Sequence, residues 1–515
     1  MKYLLLLPLL LLVACKDSPL PKQQQLRLNF HSEPTSLDPR LVRDIPTMTT
    51  GKMLYDGLMR LTSNGPVCSV AKSVEQKGKR YTFELRDSLW TDGTAVTAYD
   101  FEFAWKSLLH PHFPAELAYH LFMIKGAMSA KNGEIPVQDV AVWAEGPYKL
   151  VVELEHHQPY FLQLIAQPIC APIPHMGGDA TNGPFRLVHW EQSSELLVQK
   201  NPLYWDAEAV QLEEIVITMI EDEHTELNMY ENNELDWAGS PNSSIPPEAL
   251  PTLKERSDLF ITPIAGTFCY KFNTEATPFH NLKMRKAFAL AINRKAIVDD
   301  VLQAGQIVAK SLIPPCMGED FASALLESEI GNPTLAQLLF EQALAEEGWT
   351  RETMPPICLI FSKSEKSQKT AQVVQQEWSE TFGIKINLQS YEWNVFLDHL
   401  AKGDYQVGGR GFVSDLLDPK SLLDLYRKRN DENGYGNNDT GWESADFITL
   451  LDEAEENVEE REHYLKKAEN LLLQDFPIVP LYHSTACYLK KEHVHDVYIS
   501  ELCDLDFKYA KLTTR

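Results

Sequence analysis

The chain has 515 residues, of which 44% are hydrophobic and 23% are charged, and its formal net charge is −26. This length exceeds what one hydrophobic core usually serves, so we expect a soluble globular protein of two or three domains. The negative charge repels polyphosphate and anionic membrane surfaces, and no Lys/Arg cluster offsets it, which argues against a nucleic-acid-binding protein.

The N-terminus predicts export. Lys2 precedes an apolar run at residues 3–14, which is shorter than the roughly 20 residues that span a bilayer and is typical of a signal peptide. The run ends in LVAC, which resembles a bacterial lipobox, so we predict a signal over residues 1–15 and lipidation of Cys15. A simple cleaved signal with a chance cysteine is the alternative. Residues 16–25 contain Pro and Gln without apolar periodicity and predict a flexible tether.

The first half of the chain mixes strand and helix patterns. YTFEL (81–85) alternates as a half-buried strand does, and Thr97 with Asp100 three residues later predicts the start of a helix. A strand at 150–154 and a helix in PYFLQLIA follow. ELLVQKNPLYWD and LEEIVITMI then predict two further strands.

From residue 277 long helices dominate. HNLKMRKAFALAINRKAIVDDVLQAG predicts one long helix closed by Gly305, and TLAQLLFEQALAEEGW predicts a second closed by Gly348. PICLIFS and KINLQSYEW predict strands on either side of the helix KTAQVVQQEWSETFG. SADFITLLDEAEENVEEREHYLKKAENLLLQ predicts a helix and IVPLYHS a strand. Strands that alternate with helices of 10–20 residues predict an α/β fold.

The sequence contains no motif that demands an enzyme. GGRGF at 408–412 lacks the spacing of a phosphate loop, and neither G-x-S-x-G nor H-E-x-x-H occurs. We therefore expect no catalytic residue and no cofactor. His493 and His495, with Asp496 beside them, have a spacing that a metal site could use, but chance surface histidines explain it better, so no metal site is predicted.

The cysteines other than Cys15 show no zinc pattern and no disulfide framework. They are scattered, without a C-x-x-C pair, and their odd number leaves at least one free thiol in an oxidising compartment. These cysteines are Cys68, Cys170, Cys269, Cys316, Cys358, Cys487 and Cys503.

GFVSDLLDP (411–419) places a carboxylate, Asp415, in an apolar run. A buried charge costs several kcal/mol unless it is paired. Its partner is Arg410, a distant residue, or a cation that does not belong to the chain. Aromatic side chains also fall at predicted strand ends, where open α/β sheets bind ligands: Tyr270, Trp393, Phe412 and Tyr482.

Eight stretches in order along residues 26–510 resemble one family. They are SEPTSLDPRLVRD, LYDGLMRL, YTFELRDSLWTDGTAVTAYDFEFAWKSLL, NGPFRLVHW, LVQKNPLYWDA, MYENNELDWA, YKFNTEATPFHNLKMRKAFALAINRKAIVDDVL and GFVSDLLDP. Together they resemble the peptide-binding members of the solute-binding proteins that serve bacterial ABC importers.

The resemblance implies a two-lobed periplasmic-binding-protein fold of the α/β class with an extra inserted domain. Lobe one would comprise residues 26–51, 166–266 and 480–515, the inserted domain residues 52–165, and lobe two residues 267–479. The lobes would close over a ligand as a hinge does.

The resemblance also implies a ligand for Asp415. In oligopeptide-binding relatives the aspartate of a G-W-x-x-D-Y-x-x-P pattern accepts the peptide α-ammonium; here Phe412 and Leu416 replace the tryptophan and the tyrosine. The peptide would lie extended against strand edges, bound through its main chain, with Trp393 packed on its side chains. The implied peptide-binding residues are Ser240, Asn242, Cys269, Tyr270, Trp393, Arg410, Phe412, Val413, Ser414, Asp415, Tyr482 and His483.

The chain departs from the family pattern at the far end of the ligand. Leu400 and Gly409 stand near the positions where relatives carry basic residues that meet the ligand carboxylate; Lys402 and Arg410 are close but shifted. A cysteine pair of the family is replaced by Gly266 and Val413. The sequence therefore predicts no partner for the peptide C-terminus, as for a long, modified or cell-wall peptide.

We thus predict a monomeric lipoprotein of the periplasm, anchored to the membrane by its lipid, that binds short peptides and delivers them to the permease of an ABC importer. The alternative on the same fold is a carrier of another solute, such as murein tripeptide, nickel, haem or a sugar. An exported hydrolase lacks a recognisable nucleophile–base pair, and a chaperone-like role is a third reading.

Overall fold

The computed structural model describes residues 24–318, 321, 331–428 and 438–513. The predicted signal, Cys15 and residues 16–23 of the predicted tether lie outside the described residues. Gln25, the last residue of that tether, begins the first strand.

The strands are, in chain order, β1 (Gln25–Phe30), β2 (Met59–Thr62), β3 (Gly65–Cys68), β4 (Ala71–Lys77), β5 (Arg80–Leu85), β6 (Val142–Ala144), β7 (Lys149–Glu153), β8 (Phe185–Glu191), β9 (Glu195–Lys200), β10 (Glu214–Met219), β11 (Trp237–Gly239), β12 (Leu259–Phe272), β13 (Ile307–Val308), β14 (Ile357–Ser362), β15 (Ile386–Tyr391), β16 (Val407–Val413), β17 (Ile478–Lys490), β18 (Val494–His495), β19 (Tyr498–Ile499), β20 (Leu505–Asp506) and β21 (Lys511–Leu512).

The α-helices are α1 (Ile45–Leu54), α2 (Ala98–Leu108), α3 (Ala127–Lys131), α4 (Phe161–Leu164), α5 (Glu223–Glu231), α6 (Leu250–Leu253), α7 (Leu282–Leu290), α8 (Arg294–Ala296), α9 (Pro333–Glu347), α10 (Glu365–Phe382), α11 (Trp393–Ala401), α12 (Pro419–Leu423), α13 (Ala445–Glu456) and α14 (Arg461–Gln474). A π-helical turn, Ile297–Leu302, continues α8.

Three larger sheets organise the molecule. Strands β1, β10, β9 and β8 form one sheet, in which β1 runs parallel to β10. Strands β4, β5, β7 and β6 form an antiparallel sheet that shares a hydrophobic core with α2, centred on Phe83, Phe101 and Trp105. The largest sheet has the order β11-β17-β12-β16-β14-β15, with β13 paired to β17. The mixture of helices and sheets confirms the predicted α/β class.

Two long strands, β12 and β17, run from one lobe to the other. Their pairing is interrupted by a bulge between Pro263 and Thr267, opposite His483–Thr485. Leu489 of β17 packs in a core with Tyr230 and Leu250, whereas Val479 of the same strand packs in a core with helices α7, α9 and α10. An interrupted ladder between two separate cores is a natural place for a hinge. The domain bounds read from the resemblance remain predictions.

Two helices predicted as continuous are broken. The predicted helix ending at Gly305 stops at Leu290, where the main-chain oxygen accepts a hydrogen bond from Asn332 N, and a new helix begins after Asn293, whose side chain accepts from Ala296 N. The acidic helix of residues 444–474 is likewise two helices, α13 and α14, divided after Asn457. Both predictions of continuity were wrong because apolar spacing carries on across each break.

Within the described ranges, none of the helices has the length and apolar character needed to cross a bilayer. The seven cysteines of the described residues are free thiols.

Candidate functional site

The carboxyl ends of the parallel strands β14, β15 and β16 meet at one edge of the large sheet. β14 pairs with β15 up to Ser362 and Tyr391, but it pairs with β16 only at Val407 and Gly408. In the described part of the chain, β16 beyond Gly408 thus has no strand neighbour on its β14 side. The main-chain donors and acceptors that point to that side are available to an added strand.

The other side of β16 is held firmly. β12 pairs with it up to Gly266 and Val413, and Ser414 N then donates to Ala265 O at 2.7 Å. The Ser414 side chain, which is buried, lies 2.5 Å from the hydroxyl of Ser421 at the start of the next helix. These bonds fix the backbone on both sides of Asp415, the residue that follows.

Asp415 faces Tyr119 and His120, which are distant from it in the sequence. The hydroxyl of Tyr119 donates to its Oδ2 at 2.5 Å, and Nε2 of His120 lies 3.7 Å from the same oxygen. Both residues belong to a short 3-10 turn, Ala118–Leu121. The Asp415 side chain is 31% exposed. We call the space bounded by this turn, by the carboxyl ends of β14–β16 and by the segment after β11 the cleft.

The pairing of Asp415 with Arg410 that the sequence left open is not formed. Arg410 stands opposite Cys269 in the β12–β16 ladder, and its charge acts on Tyr426 in the core beneath. Among the described residues, no carboxylate forms an ion pair with it. The groups that contact the Asp415 carboxylate are therefore the side chains of Tyr119 and His120, and Arg410 is not among them.

The ionised form of Asp415 is favoured. Burial alone would raise the pKa of the carboxyl, but the nearby His120 and the hydrogen bond from Tyr119 outweigh it, and the net pKa is lowered. At 3.7 Å the imidazole nitrogen of His120 lies beyond the usual hydrogen-bond distance from the carboxylate. An ionised carboxylate at the border of a cleft suits an incoming cation.

Two further side chains leave polar atoms without a partner. His120 is buried, yet neither ring nitrogen makes a hydrogen bond in the described structure. Asn242, two residues after Ser240, uses its main-chain oxygen to accept from His31 N, while its Nδ2 has no acceptor there. Buried polar atoms are rarely left unpaired in proteins, so these nitrogens are candidates for contact with a ligand.

The segment after β11 borders a cavity of about 360 Å³. Ser240 lines it on the side of the segment after β11, and Lys366 and Lys369 line it at the start of α10. Sequence reasoning missed Tyr119, His120 and Lys366. Only Lys366 carried a usable signal, since it closely follows the carboxyl end of a predicted parallel strand.

Four of the predicted peptide-binding residues lie on β12 and β17 with buried side chains, which they do not present to open space. Cys269, Tyr270 and Tyr482 belong to hydrophobic cores. His483 bonds through Nδ1 to the hydroxyl of Thr267 at 2.8 Å, and burial lowers its pKa to about 4, so it is neutral. These residues support the strands that border the cleft.

The packing of Tyr270 explains the glycine at position 409. A Cβ atom there would lie 2.4 Å from the Tyr270 ring, so no larger residue fits beside this ring. Leu400 is buried against Phe396, and Lys402 pairs with Asp398 at 2.7 Å on an exposed surface. Leu400 and Gly409, which stand near the positions where the resembled family carries basic residues, are thus closely packed against neighbouring side chains in this chain.

The remaining predicted residues lie near the sheet edge. Trp393 follows β15 at the start of α11 and is 47% exposed, and Val413 is 37% exposed at the end of β16. Phe412 packs partly against the core that contains Tyr426. Gly266 and Val413, the positions of the missing cysteine pair, are direct partners in the ladder.

The two histidines near the C-terminus contact different residues. His493 contacts Asp236 at 3.1 Å, and His495 lies 3.1 Å from the hydroxyl of Thr513. Across the described ranges, no group of three or more His, Cys, Asp or Glu side chains is arranged to hold a metal ion.

The sequence is similar to a family profile and to individual proteins that all bind solutes or peptides. The sequence profile of the bacterial extracellular solute-binding proteins, family 5 Middle, matches residues 65–434. The oligopeptide-binding protein OppA of Bacillus subtilis is 37% identical over 507 residues, which cover 94% of this chain and 92% of that one. The dipeptide-binding protein DppE of the same organism is 30% identical over 510 residues, which cover 95% and 92%.

Solved structures share the fold. The substrate-binding domain of an oligopeptide ABC transporter from Bacillus anthracis superposes with a TM-score of 0.79 at 27% identity, covering 96% of this chain and 100% of that one. Haemophilus influenzae OppA, in a complex with the peptide RPPGFSPFR, superposes with a TM-score of 0.77 at 25% identity, covering 96% and 99%.

Proposed function

The chain belongs to the bacterial extracellular solute-binding proteins of family 5, which bind a solute rather than catalyse a reaction, and from this premise we propose that it is a receptor for short peptides. It captures a peptide in the cleft and delivers it to the permease of an ABC importer. The two lobes close on the ligand about the β12–β17 bulge, and the chain acts as a monomer.

One observation carries the proposal: Asp415 is an ionised, largely buried carboxylate that faces the cleft without a cationic partner from its own lobe. The α-ammonium of a peptide supplies the missing charge and hydrogen-bond donors, and charge-assisted bonds of this kind are about twice as strong as neutral ones. Tyr119 already donates to one oxygen, which leaves the other oxygen for the ligand.

The free side of β16 supports recognition through the main chain. A peptide laid along residues 409–413 adds a strand to the sheet, and its main-chain groups pair whatever its side chains are. Val413 and Trp393 border this path with apolar surface. Binding of this kind tolerates many sequences, as a nutrient receptor requires.

The N-terminal segment supports a place at the membrane. The short apolar run and LVAC match a lipoprotein signal, so Cys15 carries the lipid and the receptor remains tethered to the membrane on the outer side. The tether gives the folded part freedom to meet the permease.

Ligand identity is the test. The protein is purified under native conditions, and the molecules that it retains are identified by mass spectrometry; we expect peptides of a few residues. Titration with trialanine in a calorimeter should then give saturable binding to protein from which retained ligand has been removed. Retention of a metal complex or haem, together with no heat from any peptide of two to six residues, would contradict the proposal and favour another solute.

A further inference from the structure

Glu226 is a buried carboxylate that contacts both ends of the short segment after β11. It lies on α5 and is only 2% exposed. Its Oε1 accepts hydrogen bonds from Gly239 N at 2.8 Å and from the hydroxyl of Ser243 at 2.6 Å. In the part of the chain that the structure describes, no basic side chain forms an ion pair with it. A buried charge is costly, so the hydrogen bonds that Glu226 accepts are what offset its burial.

A third donor comes from strand β1. Nδ2 of Asn29 donates to Oε2 of Glu226 at 2.9 Å and to Ile220 O at 2.9 Å. Oδ1 of Asn29 accepts from Ile220 N at 2.8 Å, so the orientation of this amide is fixed. Burial raises the pKa of the Glu226 carboxyl, and the three donors oppose the rise. Both oxygens of Glu226 are thus matched to donors whose directions the surrounding structure sets.

The residues between the two contacts, 240–242, form part of the cleft wall. Ser240 lines the cavity, and the buried side chain of Asn242 has an Nδ2 without an acceptor among the described residues. The main-chain N of Ser243 donates to Gly239 O at 3.3 Å and its hydroxyl donates to the same oxygen at 3.1 Å, which closes the segment into a tight loop. The carboxylate therefore holds both ends of a loop whose middle carries an unused hydrogen-bond donor.

We propose that Glu226 is a positioning residue for ligand binding: it fixes residues 240–242 so that the Asn242 amide stays unpaired until a ligand accepts its hydrogen bond. A loop that could move would pair this donor within the protein, because an unpaired buried donor is unfavourable. A fixed loop spares the ligand the cost of ordering it, which is the advantage of a preorganised site. The inference rests on the proposed function, since the ligand is taken to be a peptide, whose carbonyl oxygens are acceptors.

Glu226→Gln tests this role with little change of shape. The new amide has one oxygen and one NH2 group, so the NH2 group meets either Asn29 Nδ2 or Gly239 N, and both of these are donors. Adding Asn29→Asp supplies an acceptor to the new amide and keeps an oxygen that accepts from the main chain. The double variant thus rebuilds the pairing with the charge moved to position 29. Glu231→Gln is the matched control at the end of the same helix, where the carboxylate pairs with Arg256.

Binding of trialanine is measured by calorimetry, and thermal unfolding checks that each variant is folded. We expect Glu226→Gln to weaken binding by roughly tenfold or more, because the loop is no longer preorganised. Addition of Asn29→Asp should restore most of the lost affinity, and Glu231→Gln should bind as wild type does.

Asn242→Ala completes a double-mutant cycle. If Glu226 acts through Asn242, adding Glu226→Gln to Asn242→Ala should weaken binding little further. Ser243→Ala removes one donor and leaves Glu226 in place; it is the milder variant to use if Glu226→Gln does not fold, and it should show the same non-additivity with Asn242→Ala. Losses that multiply, or a folded Glu226→Gln protein that binds trialanine as tightly as wild type, would overturn the positioning role. If wild type itself binds no peptide, the proposed function fails and this role fails with it.

Discussion

Removal of the negative charge at position 415 is the most direct test of how the cleft holds a ligand. Asp415→Asn keeps the size of the side chain and an oxygen that can accept the Tyr119 hydroxyl, so it removes charge and little else. The matched change in the ligand is acetylation of the peptide N-terminus, which removes the ammonium that we place beside Asp415.

The exposure of Asp415 sets the size of the effect. Exposed ion pairs contribute about 0–1 kcal/mol, whereas removal of one partner from a buried pair costs about 3–5 kcal/mol. The Asp415 side chain is 31% exposed before any ligand covers it, so it lies between these limits. We expect a loss of about 2 kcal/mol, which is roughly a 30-fold weaker Kd.

Calorimetry on the four combinations of protein and peptide gives a double-mutant cycle. Each single change should weaken binding roughly 30-fold, and both together should weaken it by about the same factor rather than by its square, because they remove one and the same pair. Asp496→Asn is the control, since Asp496 is exposed and pairs with Lys511 in the C-terminal segment. If wild type binds acetylated and free peptides equally well, or if the two losses multiply, the ammonium does not lie at Asp415.

Three further predictions concern the N-terminal signal, the protonation of Asp415 and the packing at Gly409. Cys15→Ala should move the protein from the membrane fraction to the soluble fraction, and unchanged membrane association on fractionation would contradict lipidation. The pKa of Asp415 is lowered, so the carboxylate stays ionised from pH 7 to pH 5 and peptide affinity measured by calorimetry should be constant over that range. Affinity should fall only as the pH passes below the ordinary pKa of an aspartate, near 4. A loss of affinity between pH 5 and 6.5 would point to a histidine instead. Gly409→Ala should destabilise the fold by about 1–3 kcal/mol in chemical denaturation, because the new Cβ meets the Tyr270 ring. Gly78→Ala is the control: Gly78 has a positive φ and open space around it, so this change measures the backbone cost of an alanine without a steric clash.

Much of the fold was accessible from the sequence because helices and strands arise from local spacing. The Thr97–Asp100 capping box begins α2 and Gly348 ends α9, as predicted. The predicted helix that ends at Gly305 failed for a reason that is not local: Leu290 is held by Asn332, which is distant in sequence. Periodicity reports which face of a segment is apolar, but not where a contact from elsewhere ends it.

The site divides in the same way. Asp415 could be found from the sequence, because an acid in an apolar run is a local anomaly. Its partner Tyr119 lies 296 residues away, and no pattern within either segment indicates the other. The spacing of Glu365 and Lys369, one helical turn apart, already indicates their ion pair, whereas only the folded structure places Lys366 on the wall of a cavity beside Ser240. The sequence by itself determined which segments form the fold and which charge lies in an apolar run. The tertiary structure decided which groups face that charge. Electrostatic pairing depends on the distance between groups in space, and that distance is set by chain folding and not by local composition.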